Sequence, residues 1–467
     1  MFRWLILLAI VAAPTPAQTT ASGRSSADTL KNPPLLVNRS RAPHTVEVSL
    51  TAAPARLKLM PGKFTDVFAY NGTVPGPTLD LREGDKVIVH FTNNLAEPTS
   101  IHWHGFHLPA DMDGSPITPI PAGGKKDYIF TLEPGTAGTY WYHPHPDVRT
   151  GYQVAKGLYG AIIVRAANDP LPALPEKLLI LTDNRFNPDG SYNFSSPHTP
   201  EAIVDEENGR EGKVMLVNAQ WLPKIQIRSG EVQRWRVINA GAARVYRLHI
   251  PGQTLLQVGT DGGLFERPIP LKDLFLSNSE RAEILVRGTG APGSTTVVQN
   301  LPYDRYSVQT RPAEWNQPHK LLTLAYTRES RAKPVTIPER LRVIPPLDTT
   351  KVKVRRNIVL SQGLINGRMM DMSRVDMRVR LGATEIWTIE NVVGMDHPFH
   401  LHGFRFQVLD RNGVPERVRR WKDTVNVPKH ESVRFIVNFD ANPGKWMFHC
   451  HILDHEDHGM MGIFQLN

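Results

Sequence analysis

The stretch WMFHCHILDHEDHGMM, residues 446–461, decides how this chain reads. It holds the single cysteine of the 467 residues, Cys450, between His449 and His451, with His455 and Met460 downstream. A soft thiolate, imidazoles and a thioether form a donor set suited to copper. On a β-strand successive side chains point to opposite faces, so His449 and His451 project one way and Cys450 the other. One strand can then touch two different metal sites.

Working outward, ten of the eighteen histidines fall into four groups. They are His102 and His104 in HWHGFH, His143 and His145 in YHPHP, His397, His400 and His402 in HPFHLHGF, and His449, His451 and His455 beside the cysteine. A His-x-His pair on a strand carries two imidazoles on one face, about 7 Å apart, which lets them grip one metal or two adjacent ones. AGTYWYHPH (137–145) aligns without gaps to PGKWMFHCH (443–451), setting His143 over His449, His145 over His451 and Pro144 over Cys450. The middle of the chain has nothing comparable. A ligand strand present near both ends implies that the two end domains meet and share a metal site at their interface.

Most of the remaining sequence is short alternating strands punctuated by Gly, Pro and Asn, such as TVEVSL (45–50), KVIVHF (86–91) and YIFTL (128–132). That is the pattern of β-sandwiches. Asn71-Gly72, Asn218-Ala219 and Asn366-Gly367 each precede a pair of strand-like runs separated by a turn glycine, at Gly84, Gly230 and Gly382. The glycines stand 146 and 152 residues apart, a spacing that predicts three related domains. Pro-rich stretches at 168–177 and 335–348 divide them. The expectation is an all-β chain with domains at 40–167, 175–328 and 350–467.

With all four histidine groups in order, the chain resembles the three-domain multicopper oxidases of the bacterial laccase and periplasmic cuprous oxidase type. The resemblance spans residues 40–467 and implies three consecutive cupredoxin-like Greek-key sandwiches. It also implies four copper ions. Cys450, His397 and His455, with Met460 as weak axial ligand, would hold the type 1 copper, in keeping with the donor set of electron-transfer copper. His102 and His400 would hold the type 2 copper, and His104, His143, His145, His402, His449 and His451 the type 3 pair. Domain 2 would be structural and copper-free. Substrate electrons would enter at the type 1 site and pass through Cys450, four of them reducing O2 to two waters. Asp113, in DMDG, and Glu456, after His455, match positions that relay protons in related enzymes. A closed zinc site takes four ligands in one compact group, too few to use this set. A copper nitrite reductase would have two domains and lack the full trinuclear set. A non-catalytic cupredoxin-fold assembly factor is the remaining alternative, and no ligand has been lost here as that reading expects.

The reducing substrate separates two readings. Laccase-like members oxidise phenols and aromatic amines, whereas the cuprous oxidases oxidise Cu(I) and often carry a methionine-rich insertion. The corresponding stretch here, LPYDRYSVQTRPAEWNQPHK (301–320), has no methionine, which favours the laccase reading. Against it, GRMMDMSRVDM carries Met369, Met370, Met372 and Met377. Thioethers bind Cu(I) but also fill gaps in cores. Asp396, beside His397, is either an exposed acid or a contact for a cationic substrate.

The N-terminus, MFRWLILLAIVAAPTPAQ, has a basic start, a short apolar run and a small-residue exit, the form of a signal peptide over residues 1–17. The run is shorter than the roughly 20 residues that span a bilayer. An exported, periplasmic or extracellular protein follows, with a flexible Ser/Thr/Pro-rich lead-in over 18–40 and no stable membrane insertion. Removal of the signal leaves 53 basic and 45 acidic residues, a net charge of +8. The cationic residues are scattered, which argues for solubility and against nucleic-acid binding. Expected partners are therefore O2 and a small reductant, a phenol, an aromatic amine or Cu(I), with a monomeric state implied by resemblance only.

Overall fold

The computed structural model describes residues 29–306 and 313–467. The expected signal peptide and residues 18–28 of the lead-in lie outside the described residues. From residue 29 the lead-in departs from the expected flexible segment. Leu30 N–H donates to Lys224 O (2.7 Å), Leu36 N–H to Thr78 O (2.9 Å) and Thr78 N–H to Pro34 O (2.7 Å). The two prolines at 33 and 34 lack N–H groups but keep their carbonyls, so this stretch is tied to the main body by the backbone donors and acceptors it has left.

The chain is nearly all strand, arranged in three pairs of sheets over residues 45–165, 176–326 and 354–466. Each pair repeats two parallel pairings. Thr45–Met60 runs parallel to Lys86–Asn93, Glu176–Asn184 to Val232–Asn239, and Val354–Ser361 to Ala383–Asn391. In the opposing sheets Gly76–Arg82 pairs parallel with Gly160–Arg165, Lys224–Ile227 with His319–Tyr326, and Met377–Val379 with Met461–Leu466. The turn dipeptides explain the sequence echo. Both residues of Asn71-Gly72, Asn218-Ala219 and Asn366-Gly367 have positive φ, as a tight two-residue hairpin turn demands. Gly84, Gly230 and Gly382 lie at +84°, +81° and +77°, a region open to glycine and costly for most other residues.

Strands such as KVIVHFTN (86–93) alternate between buried and more exposed positions, so one face enters the core. In the first sheet pair that core contains Trp103, Tyr128, Tyr142 and Phe91, and in the third Trp387, Phe399, Phe435, Phe448 and Phe464. Aromatic side chains of this size dominate the burial that holds a sandwich closed. Among the described residues no helix is long and apolar enough to cross a membrane.

Register places the histidines. His102–His104 lies beside Gly138–His143 with His102 opposite His143. His397–Leu401 lies beside Gly444–Cys450 with His400 opposite His449 and Phe399 opposite Cys450. The first and third sheet pairs thus present the same ligand register to each other.

Candidate metal centres

Eight imidazoles, those of His102, His104, His143, His145, His400, His402, His449 and His451, come together from the two ends of the chain. All eight are buried. The rings interleave across the interface: His102 stacks on His402 with centroids 4.0 Å apart, and His104 on His400 at 3.9 Å. His451 lies 5.0 Å from His104 and 5.5 Å from His143 by centroid.

The hydrogen bonds sort the ring nitrogens into outward and inward atoms. His102 Nδ1 donates to Asp113 O, His143 Nδ1 to Pro144 O, His400 Nδ1 to Asp423 O and His449 Nδ1 to Cys450 O, each at 2.9 Å. His402 Nδ1 donates to Asp113 Oδ2 at 2.8 Å. Each of these bonds leaves Nε2 as a bare acceptor directed inward. His102, His143 and His400 have no partner for Nε2, while His449 Nε2 faces His402 Nε2 at 2.9 Å and His145 Nε2 at 3.4 Å. His104 is reversed, with Nε2 donating to Asp423 Oδ1 (3.1 Å) and Nδ1 bare. Neither nitrogen of His451 has a partner. A buried polar atom without a hydrogen bond is costly, and a cluster of unprotonated nitrogens aimed at one another has no favourable arrangement without cations between them. Metal ligation requires neutral imidazole, and burial with crowding by other imidazoles holds His104, His143, His145, His400, His449 and His451 well below the usual histidine range and His402 at about 4.

Cys450 leaves the strand on the opposite face, as alternation requires. Its Sγ lies 3.4 Å from His397 Nδ1 and 3.7 Å from His455 Nδ1. Burial pushes the thiol up to about 12, so it ionises at neutral pH only when a cation takes the place of its proton. Met460 is fully buried in the same core as Cys450; its carbonyl accepts from Cys450 N–H (3.1 Å) and its own N–H donates to His455 O (2.9 Å). Met461 starts the next strand, paired opposite His449, which separates the two neighbouring methionines. His455 Nε2 donates to Glu207 O (3.1 Å), in the helix Pro200–Asn208 of the middle unit.

Both acids singled out by sequence lie against the imidazole cluster. Asp113 is within 2.8 Å of His402 Nδ1 and 3.4 Å of His102 Nδ1. Burial alone raises its carboxyl, but the two histidines outweigh that and hold it far below the usual carboxylate range. Glu456 reaches across the interface, 3.3 Å from His145 Nδ1 and 3.2 Å from His449 Nδ1, and burial pushes it well above that range. The two carboxyls are therefore shifted in opposite directions beside one cluster.

Asp396 is neither exposed nor free. Tyr303 Oη donates to its Oδ2 (2.5 Å), Asn426 Nδ2 to the same oxygen (2.8 Å) and Lys429 N–H to Oδ1 (3.1 Å). Contact with a cationic substrate through Asp396 is thus replaced by an internal brace, because the loop carrying it folds under Tyr303. Sequence reasoning missed Asp423 and Thr424, both against His104 and His400. WKDTV (421–425) carries no histidine, and nothing in its local pattern marks it as part of a metal site.

Multicopper oxidase family models match residues 52–169, 141–329 and 342–467. The chain is 31% identical over 424 residues to a multicopper oxidase of Staphylococcus aureus, covering 89% of this chain and 87% of that protein. It is 30% identical over 468 residues to a laccase of Bacillus subtilis (85% and 89% covered), and 29% identical over 483 residues to the cell division protein FtsP of Escherichia coli (98% and 97%). Among solved structures, the multicopper oxidase of Campylobacter jejuni, described as a metallo-oxidase, superposes with a TM-score of 0.85 at 34% identity, covering 94% of this chain and 95% of that one.

Proposed function

The chain belongs to the multicopper oxidase family, and from that premise we propose that it is a laccase-like oxidase, exported from the cytoplasm, that couples one-electron oxidation of phenols or aromatic amines to reduction of O2. The observation that carries this reading is the single strand Gly444–Cys450, continued by His451. Its imidazoles enter the eight-histidine cluster while Cys450 meets His397 and His455 on the other face. His397, Cys450, His455 and Met460 are the residues for the type 1 copper. His102 and His400 are those for the type 2 copper, and the other six imidazoles those for the type 3 pair. When bound, the coppers supply the one-electron steps and the binding of O2.

The protein's own part is to hold and orient. Buried neutral imidazoles keep their lone pairs directed inward, and the covalent path from Cys450 through its neighbours His449 and His451 gives electrons a short route between the two sites. Asp113 and Glu456 sit where the protons needed by oxygen reduction can be passed to the cluster. The alternative of a non-catalytic assembly factor expects a depleted donor set, and the likeness to a cell division protein does not favour it, since here every position of the set is filled by a competent ligand residue.

Cu(I) as the reductant is the second reading, and one contact favours it. Met369, more than half exposed, packs on Gly459 beside Met460, and Met370 N–H donates to Gly459 O (2.8 Å). One soft thioether, that of Met369, thus stands at the surface next to Gly459, the neighbour of Met460. Met377 is instead packed against the core of the third sheet pair. Steady-state turnover on a phenol and on Cu(I), with and without added copper, separates the two. The laccase reading expects phenol oxidation without added copper; efficient Cu(I) oxidation with phenol turnover only in excess copper would replace it.

A further inference from the structure

The middle unit contributes no residue to either ligand set, yet one of its arginines enters the ligand sphere by proxy. Arg281 opens the strand Arg281–Arg287 and is fully buried. Its guanidinium forks onto Asp423, with Nη1 2.7 Å from Oδ1 and Nη2 2.5 Å from Oδ2. It is fixed from behind: Nη2 donates to Asp261 O (3.3 Å), Nη1 to Ser279 O (3.1 Å) and Nε to Thr139 O (3.3 Å), while the Arg281 backbone N–H donates to Asp261 Oδ1 (2.8 Å). A planar fork on a carboxylate sets orientation as well as charge.

Asp423 passes that orientation to two imidazoles. Its Oδ1 accepts from His104 Nε2 (3.1 Å) and its carbonyl from His400 Nδ1 (2.9 Å). Thr424 Oγ1 stands 3.1 Å from His400 Nδ1 and 3.3 Å from His104 Nε2, and accepts from Ser279 Oγ (3.0 Å), so the middle unit reaches this corner twice. These bonds leave His104 Nδ1 and His400 Nε2 bare, and they account for His104 presenting the opposite nitrogen from its neighbours. The space is closed: a Cβ on Gly105, at φ +90°, would meet Asp423 Oδ2 at 2.5 Å and Arg281 Nη2 at 2.6 Å. The glycine of HWHG is what lets the ion pair approach the histidine strand.

His104, His400 and Asp423 also form a group within metal-ligand reach of one another. A ligand role for Asp423 competes with its ion pair, since both carboxylate oxygens already face the guanidinium. We propose that Arg281 is a positioning residue for the trinuclear site, fixing through Asp423 the tautomer of His104 and the ring orientation of His400. This rests on the trinuclear reading above. Outer partners of this kind are worth about 10- to 100-fold in metal affinity.

The test begins with the copper content of the wild-type holoenzyme, because a chain that does not hold a trinuclear set overturns the underlying reading and not merely this step. Arg281→Met and Asp423→Asn are then combined, which removes both charges together and leaves no unpaired ion in the interior. The expected holoenzyme keeps its blue absorption, its type 2 electron paramagnetic resonance signal changes, and affinity for the copper nearest His104 and His400 falls about 10- to 100-fold. Arg281→Lys keeps the charge and loses the fork, and is expected to reproduce the spectral change. A double variant with native copper content and an unaltered type 2 spectrum would overturn the proposal. Should the double variant not fold, Arg281→Lys decides, and a native type 2 spectrum in that variant overturns it equally.

Discussion

The strands Gly138–His143 and Gly444–Cys450 are two versions of one device. Each pairs with a His-x-His strand in the same register, His102 opposite His143 and His400 opposite His449. Each carries a histidine whose Nδ1 donates to the next residue's carbonyl at 2.9 Å, Pro144 in one and Cys450 in the other. They part at that next residue. Pro144 is buried and offers neither a donor nor a ligand atom, whereas Cys450 donates its N–H to Met460 O and places Sγ between His397 and His455. The shared features build the imidazole cluster and the difference adds a thiol beside two further imidazoles on the opposite face, so under the proposed function the strand's two roles are separable by face.

The largest effect is expected from the face the first strand lacks. Cys450→Ser should lose the blue absorption and bring turnover below about one-thousandth of wild type, the scale of loss when one member of a concerted set is removed. Turnover measured on any reductant near the wild-type rate would show that electrons bypass the strand.

On the shared face, Glu456 bridges His145, just past the end of one strand, and His449 of the other, while Asp113 serves His102 and His402. Glu456→Gln and Asp113→Asn should each slow oxygen reduction by about 100-fold and leave the blue colour intact, as expected for groups that move protons. Rapid mixing of the reduced enzyme with O2 checks this, and an unchanged reoxidation rate removes that residue from the relay.

The two strands also run into helices that hold each other. Asp457, in the helix Leu453–Asp457, accepts from Thr150 N–H (2.7 Å) and Gly151 N–H (2.8 Å) at the start of Thr150–Lys156. Asp457→Ala should destabilise the folded chain by about 2 kcal/mol, because it leaves the Thr150 and Gly151 N–H groups without their acceptor. Denaturant unfolding followed by tryptophan fluorescence gives the number, and no shift in midpoint would mean that the strands' ends are joined by other contacts.

The smallest effect is expected from making the strands alike at the parting residue. Pro144→Cys should change stability by about 1 kcal/mol or less and create no second blue centre, since among the described residues no counterparts of His397, His455 and Met460 surround it. A second blue band in its absorption spectrum would show that the thiolate alone specifies the site.

What the sequence disclosed follows from period and repetition. Alternation on one strand put His449 and His451 opposite Cys450, and the gapless match of 137–145 to 443–451 brought the ends of the chain together, because both are consequences of strand geometry. The turn pairs at 71–72, 218–219 and 366–367 were legible for the same reason, each demanding a left-handed backbone. Arg281 and Asp423 were not, since they stand 142 residues apart and meet only when the middle unit docks. Asp396 was read as available because its neighbours in sequence say nothing of Tyr303, which folds over it from another unit. Residues 29–40 look like linker by composition, and their order comes from backbone bonds to distant strands.

The claim that one strand serves two separable centres is tested most directly by metal analysis of Cys450→Ser alongside wild type. About four coppers are expected in the wild-type chain and about three in the variant, with the type 2 resonance retained and the blue absorption gone. Loss of all copper from a folded Cys450→Ser chain, or retention of the blue centre, would contradict it.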